Sequence, residues 1–409
     1  MRMISCACVA LLAGCATNDA VAPAGGAKYL YVWSGDEDAA EEDFLATIDA
    51  DPASRDYGRV IATALTGFKG TQPHHTEYRL PTGERLLANG FVGNRTIAFD
   101  LSNPARPAAV ASFGSIGEGV AAYSYPHSFL RLPDGRVIAT FQGRGGVYGA
   151  PGGLAEITND GALVKGVDAT APRVDPALAW PYSLDYAPRE DRIIVTMSEM
   201  GMPEQTSWAE TRDIQIYDAK TLALTGVVSL PRSEKRYELW PAEPRVADDG
   251  TVFVATFMCG LYRIDDVASE KPQAALVFEF PQLSEAEACA VPVIIGNFLV
   301  QPVPAINGLI AVDISDPKNV KEVSRLSFDH AYHMPHWLAV ESSGRIVVTP
   351  MHDNWVLIAG IDPKTGALSL DEKFRDPGAG KPGVFVGARR LPHGDSGKAI
   401  VHGALFSRD

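Results

Sequence analysis

A short turn followed by an apolar strand recurs along the chain at intervals of about fifty residues. Most copies of the turn contain Gly beside Asp, Ser or Asn, and two-residue turns of this kind between apolar runs are a strong hairpin signal. The seven copies begin at Gly83, Asp134, Asp191, Asp249, Gly296, Ser343 and Ser396. A repeat of this length indicates an array of small β-sheets, because one unit alone cannot bury its apolar face.

A second apolar strand follows each of the first six turns, but its seventh copy lies at the other end of the chain, at residues 44–49. The last repeat starts near Val384 and lacks outer strands, which residues 44–65 can supply. Closing a ring in this way removes an exposed sheet edge, whereas a linear solenoid would carry capping repeats instead of a split one. The sequence predicts an all-β fold, a seven-bladed β-propeller closed by pairing N-terminal strands with the C-terminal blade.

A third element, a proline before an alternating strand, precedes the turn in six repeats. Proline lacks an N–H and belongs at the first residue of a strand, which places it at the start of the innermost strand of each blade. The six residues are Pro73, Pro126, Pro181, Pro241, Pro292 and Pro335. The seventh repeat has no clear proline, and its spacing places the equivalent position near Val386. Residues that follow these prolines are expected to form a ring around one mouth of the channel.

Histidine follows proline in three of these repeats, as His74, His127 and His336. His75 adjoins His74, and His333 precedes His336 by three residues. The first, second and sixth blades lie on one half of a seven-membered ring, so these imidazoles can converge on one patch. Neutral imidazole is the commonest transition-metal ligand, and a set without thiolates favours copper or non-haem iron, with zinc as a further alternative. We predict a metal site; the competing interpretation is a set of channel residues hydrogen-bonded to water.

His352, just after the strand that follows His336, is a further candidate ligand because it can face the same mouth. Glu77 and Glu243 lie near the ring and are candidates to accept hydrogen bonds from imidazoles, with surface exposure as the alternative. The remaining histidines, which lie in a turn or show no supporting pattern, are His330, His393 and His402.

The N-terminus resembles an export signal. Arg2 provides a positive charge, residues 4–13 form an apolar run too short to span a bilayer, and the run ends in a lipobox-like Leu-Ala-Gly before Cys15. We predict a lipoprotein signal peptide at residues 1–14, a lipidated Cys15 with a flexible tether at 15–27, and the propeller at 28–409. An ordinary secretory signal is the alternative. Ala16 after the cysteine implies the periplasmic face of the outer membrane in a Gram-negative host.

Two further features constrain location and partners. Beyond the signal region and Cys15, Cys259 and Cys289 remain, and they can form a disulfide in an oxidising compartment or remain two buried thiols. The formal net charge is −14, and no Lys/Arg cluster is present. Nucleic acid is therefore not an expected partner, since phosphate binding needs clustered positive charge.

Several segments resemble the selenium-binding protein and methanethiol oxidase family. They are residues 43–52 and 57–61, the His74-His75 pair, Pro126-His127-Ser128, residues 152–154 and 163–166, and residues 313–317. The resemblance covers most of residues 28–409 and is strongest in the first third. It implies a seven-bladed propeller with histidine-bound copper at the channel. It also implies oxidation of methanethiol with O₂ and water to formaldehyde, hydrogen sulfide and hydrogen peroxide.

The family's copper-site histidines correspond to His74, His75 and His127. Its further histidine near the C-terminus has no counterpart at the expected spacing, near Val386 or Gly387, and His336 or His333 is the expected substitute. Family members can also carry a cysteine just after the histidine pair, and here there is none.

The sequence thus predicts a copper-dependent oxidase of small thiols, with His74, His75 and His127 as catalytic residues and metal ligands. The expected partners are a small thiol and, through the lipid, the outer membrane. The alternatives are a non-catalytic periplasmic copper-binding lipoprotein, a propeller scaffold that docks protein partners, and a four-histidine iron oxygenase.

Overall fold

The computed structural model describes residues 26–408, except 171, 173, 203–206 and 283–288. The predicted signal peptide, Cys15 and all but the last two residues of the predicted tether lie outside the described residues. Short 3-10 helices occur at Gly119–Ala121, Pro176–Leu178 and Pro304–Ile306, and the regular structure is otherwise β-strand within the described residues. No helix among those residues has the length and apolar character needed to cross a bilayer.

The strands of the first half begin with three N-terminal strands, β1 (Tyr29–Asp36), β2 (Phe44–Asp49) and β3 (Val60–Leu65). Blade 1 contains β4 (Pro73–Thr76), β5 (Arg85–Gly90), β6 (Arg95–Asp100) and β7 (Ala108–Phe113). Blade 2 contains β8 (Tyr123–Arg131), β9 (Val137–Arg144), β10 (Val147–Ile157) and β11 (Leu163–Asp168). Blade 3 contains β12 (Pro181–Ala187), β13 (Arg192–Met197), β14 (Asp213–Asp218) and β15 (Leu224–Ser229).

The second half repeats this arrangement three times before the chain closes. Blade 4 contains β16 (Pro241–Val246), β17 (Val252–Thr256), β18 (Gly260–Asp265) and β19 (Gln273–Glu279). Blade 5 contains β20 (Val293–Ile295), β21 (Phe298–Val303), β22 (Gly308–Asp313) and β23 (Lys321–Ser327). Blade 6 contains β24 (Pro335–Val340), β25 (Arg345–Pro350), β26 (Trp355–Ile361) and β27 (Leu368–Leu370). The last strands are β28 (Val384–Phe385), β29 (Arg390–Leu391), β30 (Gly394–Asp395) and β31 (Ala399–Phe406).

Blade 7 joins the two ends of the chain. Its sheet has the order β3-β2-β1-β31, in which β31 is the innermost strand and pairs antiparallel with β1. The first strand of each blade contacts the first strand of the next, and β31 contacts both β24 and β4. The prediction of a seven-bladed propeller closed by strands from both termini is therefore confirmed.

The composition of blade 7 differs in detail from the sequence expectation. The C-terminus supplies only the innermost strand, and the N-terminus supplies the other three. The turn at Ser396 therefore precedes an innermost strand, whereas the matching turns in blades 1–6 precede second strands. The segment at Val384 belongs to blade 6, where β28 pairs with β26. A local turn motif cannot distinguish these cases, because it does not specify the partner strand.

Burial follows position in the blade. The outer strands β7 and β23 alternate between exposed and partly buried residues, because one face meets solvent. The inner and middle strands are buried on both faces, since each blade packs between two others. Fully buried tryptophans on these strands are Trp33, Trp337 and Trp355.

Cys259 and Cys289 form a disulfide with a Cα–Cα distance of 5.0 Å. It joins the turn after β17 to the segment before β20, so it links two adjacent blades. The structure thus selects one of the two states that the sequence allows. A disulfide of this kind is typical of proteins that mature in an oxidising compartment.

Reduction of this disulfide is expected to lower the free energy of unfolding by about 3.5 kcal/mol, because the disulfide closes a loop with a sequence separation of 30 residues. Denaturant titration with and without reductant measures this effect. The Cys259→Ala/Cys289→Ala variant is the control, since reductant should not change its stability. An equal effect of reductant on both proteins would contradict the prediction.

Candidate metal centre

The backbone at the start of the innermost strands directs the residue after proline toward the channel. Gln72, Tyr125 and Met334, which precede proline in blades 1, 2 and 6, adopt left-handed φ values of 57°, 58° and 54°. A register shift follows the proline in each strand. Such bulges bend a strand and redirect its side chains. The repeated proline motif therefore encodes a repeated local geometry.

The structure brings five histidines together at this end of the channel: His74, His75, His127, His336 and His402. We call this set the histidine cluster. None of its members is more than 5% exposed. The convergence predicted for His74, His75, His127 and His336 occurs in the structure.

His402 is the cluster member that sequence reasoning missed. It lies in β31 directly after Val401, where the pairing with β1 shifts register between Ser34–Val401 and Val32–Ala404. His127 lies in the corresponding shift after Pro126. Val401 replaces the proline, so the motif carries no visible signal here. Val386, the position expected from spacing, instead follows β28 beside blade 6.

The imidazoles of the cluster are in close contact. Nε2 of His74 lies 3.1 Å from Nε2 of His127. The ring centroids are 3.9 Å apart for His74 and His402, 4.3 Å for His75 and His127, and 4.6 Å for His336 and His402. One ligand nitrogen each from His74, His75 and His127 can be chosen so that all three lie within 4.8 Å of one another. Two nitrogens bound to one tetrahedral metal ion are about 3.3 Å apart, so these three residues fit a single ion.

Hydrogen bonds orient two of these rings. Nδ1 of His127 lies 2.9 Å from the carbonyl oxygen of Tyr182, which can only accept, so this nitrogen carries the proton. Nδ1 of His75 lies 2.8 Å from the hydroxyl of Ser128. Binding one ring nitrogen in this way leaves the other as the metal ligand. The Nε2 atoms of both rings are therefore the candidate ligand atoms.

Burial keeps the cluster neutral. Desolvation lowers the pKa of His127 and of His336 to about 3. Desolvation, followed by repulsion from neighbouring imidazoles, holds the pKa values of His74, His75 and His402 well below their usual range. Neutral imidazole is the form that binds metal ions.

Several buried ring nitrogens of the cluster have no hydrogen-bond partner among the described residues. They are Nε2 of His75 and both ring nitrogens of His336 and of His402. Leaving a buried polar atom unpaired costs about 1–3 kcal/mol. Each neutral imidazole has one ring nitrogen with a free lone pair, and buried nitrogens of this kind are the donor atoms that a transition-metal ion requires.

The other predicted ligands lie outside the cluster. His333 is exposed, so the structure does not bring it to His336. His352 is also exposed, but its neighbours Met351 and Asp353 hydrogen-bond to Met334 and Val401, at the starts of two innermost strands. His352 is thus at the margin of the site.

The three histidines without a predicted role have different positions. His402 belongs to the cluster, and His330 is exposed. His393 is partly buried, with its ring centroid 4.6 Å from that of Phe44.

Glu77 and Glu243 are both buried, so the alternative of surface exposure is wrong. Neither carboxylate hydrogen-bonds to an imidazole within the described part of the chain. Glu77 pairs with Arg131 at 2.8 Å. Glu243 accepts hydrogen bonds from Tyr78 and Ser183, both at 2.7 Å.

Comparison with known proteins adds independent information. No protein-family model matches the chain. The chain is 28% identical over 238 residues to a methanethiol oxidase from Hyphomicrobium sp, a match that covers 53% of this chain and 52% of that protein. This match agrees with the resemblance found in the sequence. The match to methanethiol oxidase spans only about half the length of that relative.

Solved structures agree in fold. A hypothetical selenium-binding protein from Sulfolobus tokodaii superposes with a TM-score of 0.73 at 17% identity, covering 94% of both chains. A periplasmic gluconolactonase from Pseudomonas aeruginosa superposes with a TM-score of 0.60 at 13% identity, covering 84% of this chain and 94% of the other. At these identities the likeness establishes the propeller alone. The relation to methanethiol oxidase rests on the sequence match.

Proposed function

We propose that the protein is a copper-dependent oxidase of small thiols. The observation that carries this proposal is the cluster of five buried imidazoles, of which His74, His75 and His127 fit one metal ion. The relative named methanethiol oxidase supports an oxidoreductase that acts on sulfur compounds. Each source supports a different part: the geometry supports a metal, and the relative supports the substrate class.

Copper is the metal that this donor set favours. The cluster offers only imidazole nitrogens, and Cys259 and Cys289 are joined in a disulfide and cannot supply thiolate. Imidazole suits copper, iron and zinc, and copper forms the most stable complexes of the divalent series. Copper bound by His74, His75 and His127, with His336 or His402 completing the set, would supply a Lewis acid that deprotonates a coordinating thiol and a one-electron couple.

The protein's own residues hold and shield the site. The carbonyl of Tyr182 fixes the tautomer of His127, so the metal-binding nitrogen is already deprotonated. Phe91 contacts the rings of His74 and His127, with centroid distances of 6.3 and 5.8 Å. Tyr148 packs 5.9 Å from Phe91, centroid to centroid. This aromatic wall excludes water on one side and favours a small apolar thiol over a charged one.

We further propose that the protein is exported and held at the periplasmic face of the outer membrane through a lipid on Cys15. The lipobox-like sequence supports the anchor. The disulfide between Cys259 and Cys289 supports an oxidising compartment. Metabolic labelling with a radioactive fatty acid tests the anchor, and Cys15→Ser should abolish the label.

Metal analysis combined with a thiol-oxidation assay tests the proposed function. The purified mature domain is expected to bind about one copper per chain and to release hydrogen peroxide when given methanethiol and O₂. His74→Ala and His127→Ala should each lower copper affinity by at least about 100-fold, because changes to groups that merely support a ligand already cost 10–100-fold. His330→Ala, at an exposed position outside the cluster, should leave both properties unchanged.

The other possible results identify the competing functions. Copper binding without peroxide release would overturn the oxidase and indicate a copper carrier. One iron per chain would indicate an iron oxygenase. A domain that binds neither metal, while its circular dichroism remains that of a folded β-protein, would indicate a scaffold.

A further inference from the structure

An aromatic pair lies directly against the histidine cluster, on the side of His75. The indole of Trp337 meets the His75 ring edge-to-face, with centroids 4.9 Å apart. Tyr78 stacks on Trp337 with centroids 4.9 Å apart and an interplanar angle of 12°. Trp337 is fully buried. The two rings thus form a continuous aromatic path beside His75, and the Tyr78 ring also meets the His75 ring edge-to-face with centroids 6.3 Å apart.

The far end of this path meets a buried carboxylate. The Tyr78 hydroxyl donates to Oε2 of Glu243 at 2.7 Å. Ser183 donates to the same oxygen at 2.7 Å, and Nη1 of Arg245 lies 3.0 Å from it. These residues come from blades 1, 3 and 4 and therefore meet across the channel.

The two aromatic residues differ in what can accept their protons. The Trp337 indole donates to the carbonyl oxygen of Ala404 at 2.7 Å, and a carbonyl cannot hold a proton at neutral pH. The Tyr78 phenol donates to a carboxylate, which can. Loss of one electron makes a phenol strongly acidic, so oxidation of Tyr78 is favourable only if a base stands at hydrogen-bond distance. Glu243 is that base.

We propose that Trp337 and Tyr78 form a redox relay that removes oxidising equivalents from the histidine cluster, with Glu243 as the proton acceptor. The relay rests on the proposed function, because a thiol oxidase that releases hydrogen peroxide beside a redox metal exposes its own ligands to oxidation. Imidazole is the group nearest to such an oxidant. The relay transfers the oxidising equivalent from the imidazoles to Tyr78, which can form a radical and be reduced again.

Hydrogen peroxide that takes one electron from thiol-reduced copper would break its O–O bond and give a hydroxyl radical and a hydroxide ion. The hydroxyl radical takes one electron from Trp337 and one proton from solvent and becomes water. Trp337 regains its electron from Tyr78, whose O–H proton moves to Oε2 of Glu243. Tyr78 is left as a neutral phenoxyl radical. A substrate thiolate later supplies one electron and becomes a thiyl radical, while Glu243 returns the proton to Tyr78.

The charges around Tyr78 allow this transfer to be reversed. Burial raises the pKa of Glu243, which makes it a better base, whereas Arg245 lowers that pKa. The guanidinium carbon of Arg245 lies 4.3 Å from the centre of the Tyr78 ring. The positive charge of Arg245 opposes oxidation of the Tyr78 ring. Before the Tyr78 proton moves, the negative charge of the paired Glu243 carboxylate offsets the charge of Arg245. After transfer, Arg245 faces a neutral carboxylic acid, which favours return of the proton.

Tyr182 provides a matched control for Tyr78. Its ring centroid lies 5.9 Å from that of His75 and 3.9 Å from that of His127, so it is closer to the cluster than Tyr78, whose centroid lies 6.3 Å from that of His75. Among the described residues, however, its hydroxyl makes no hydrogen bond to a carboxylate. Proximity alone would predict oxidation of Tyr182, whereas the need for a base predicts oxidation of Tyr78.

Freeze-quench electron paramagnetic resonance tests the relay. Copper-loaded, thiol-reduced protein is mixed with hydrogen peroxide, and copper content is measured on each sample. We expect a tyrosyl radical in the wild type and in Tyr182→Phe, and its loss in Tyr78→Phe. Ring-deuterated tyrosine should narrow the signal. Mass spectrometry after turnover should find several-fold more oxidised His75 in Tyr78→Phe than in the wild type.

The outcomes separate the two proposals. A radical that survives Tyr78→Phe, or equal oxidation of His75 in both proteins, overturns the relay while leaving a copper-loaded thiol oxidase intact. A protein that binds no copper overturns the proposed function and the relay together. A Tyr78→Phe variant that fails to fold is replaced by 3-fluorotyrosine incorporation, which must change the hyperfine pattern if tyrosine carries the radical.

Discussion

Replacing His402 by leucine is expected to have opposite effects on the metal-free and copper-loaded protein. Copper affinity should fall by at least about 100-fold, because His402, whose ring centroid lies 3.9 Å from that of His74 against 6.5 Å for His336, is better placed than His336 to complete the ligand set. The metal-free protein should be more stable, by about 1–3 kcal/mol, because both ring nitrogens of His402 are buried without a hydrogen-bond partner among the described residues. Leucine has a similar volume and no polar atom to leave unpaired.

Two denaturant titrations on each protein measure this reversal, one with chelator and one with saturating copper. Copper should stabilise the wild type strongly, since binding to the folded state adds to its stability, and should stabilise His402→Leu little. His330→Leu is the control at an exposed position. A loss of stability of more than about 1 kcal/mol in metal-free His402→Leu would mean that His402 has a packing role that leucine cannot fill.

The metal-free protein is also expected to unfold steeply in mild acid. Burial lowers the folded-state pKa of His127 and His336 to about 3, and holds those of His74, His75 and His402 well below the usual value. Stability is therefore complete above the unfolded-state pKa of about 6.5 and is lost as the pH falls from there toward 3. Five protons taken up on unfolding correspond to a slope of up to about 7 kcal/mol per pH unit.

Folded domains typically have a free energy of unfolding of about 5–15 kcal/mol. A loss of this size at the slope given above places the midpoint of acid unfolding near pH 5. Burial raises the pKa values of Glu77 and Glu243, so these groups bind protons in the folded state and offset part of the loss at lower pH. Circular dichroism against pH, with chelator present, measures the transition. His402→Leu should unfold at lower pH and with a slope about one fifth smaller. An unchanged transition in His402→Leu would contradict the assigned cause.

Local sequence patterns predicted the repeat well and the closing blade less well. The turns at Asp134 and Asp249 signal hairpins because both partner strands are adjacent in sequence. The turn at Ser396 has the same local form, but the strand that follows pairs with β1, more than 350 residues earlier. No local pattern specifies such a partner, so the sequence places the innermost strand of the last blade near Val384, whereas that strand is β31 (Ala399–Phe406).

The same reasoning explains which ligands were predicted. Proline marks the position of His74, His127 and His336, whereas Val401 before His402 does not. His333 is close to His336 in sequence, but it precedes the left-handed residue Met334 and remains exposed on the approach to the strand.

The hydrogen bond between Tyr78 and Glu243 could not be predicted from sequence at all. It joins blade 1 to blade 4 across the channel. Its existence depends on the diameter of the closed ring and not on any neighbouring residues in the chain.

The position of His402 on the closing strand ties the order of synthesis to metal capture. As the chain emerges, His74, His75 and His127 appear early, but β31 can complete the ring only after six blades have been made. A metal ion held by His74, His75 and His127, with His402 completing the set, would join blades 1 and 2 to the innermost strand of blade 7. The free energy of metal binding would then stabilise the closed ring. A nascent chain that has not yet reached residue 402 would offer only part of this ligand set.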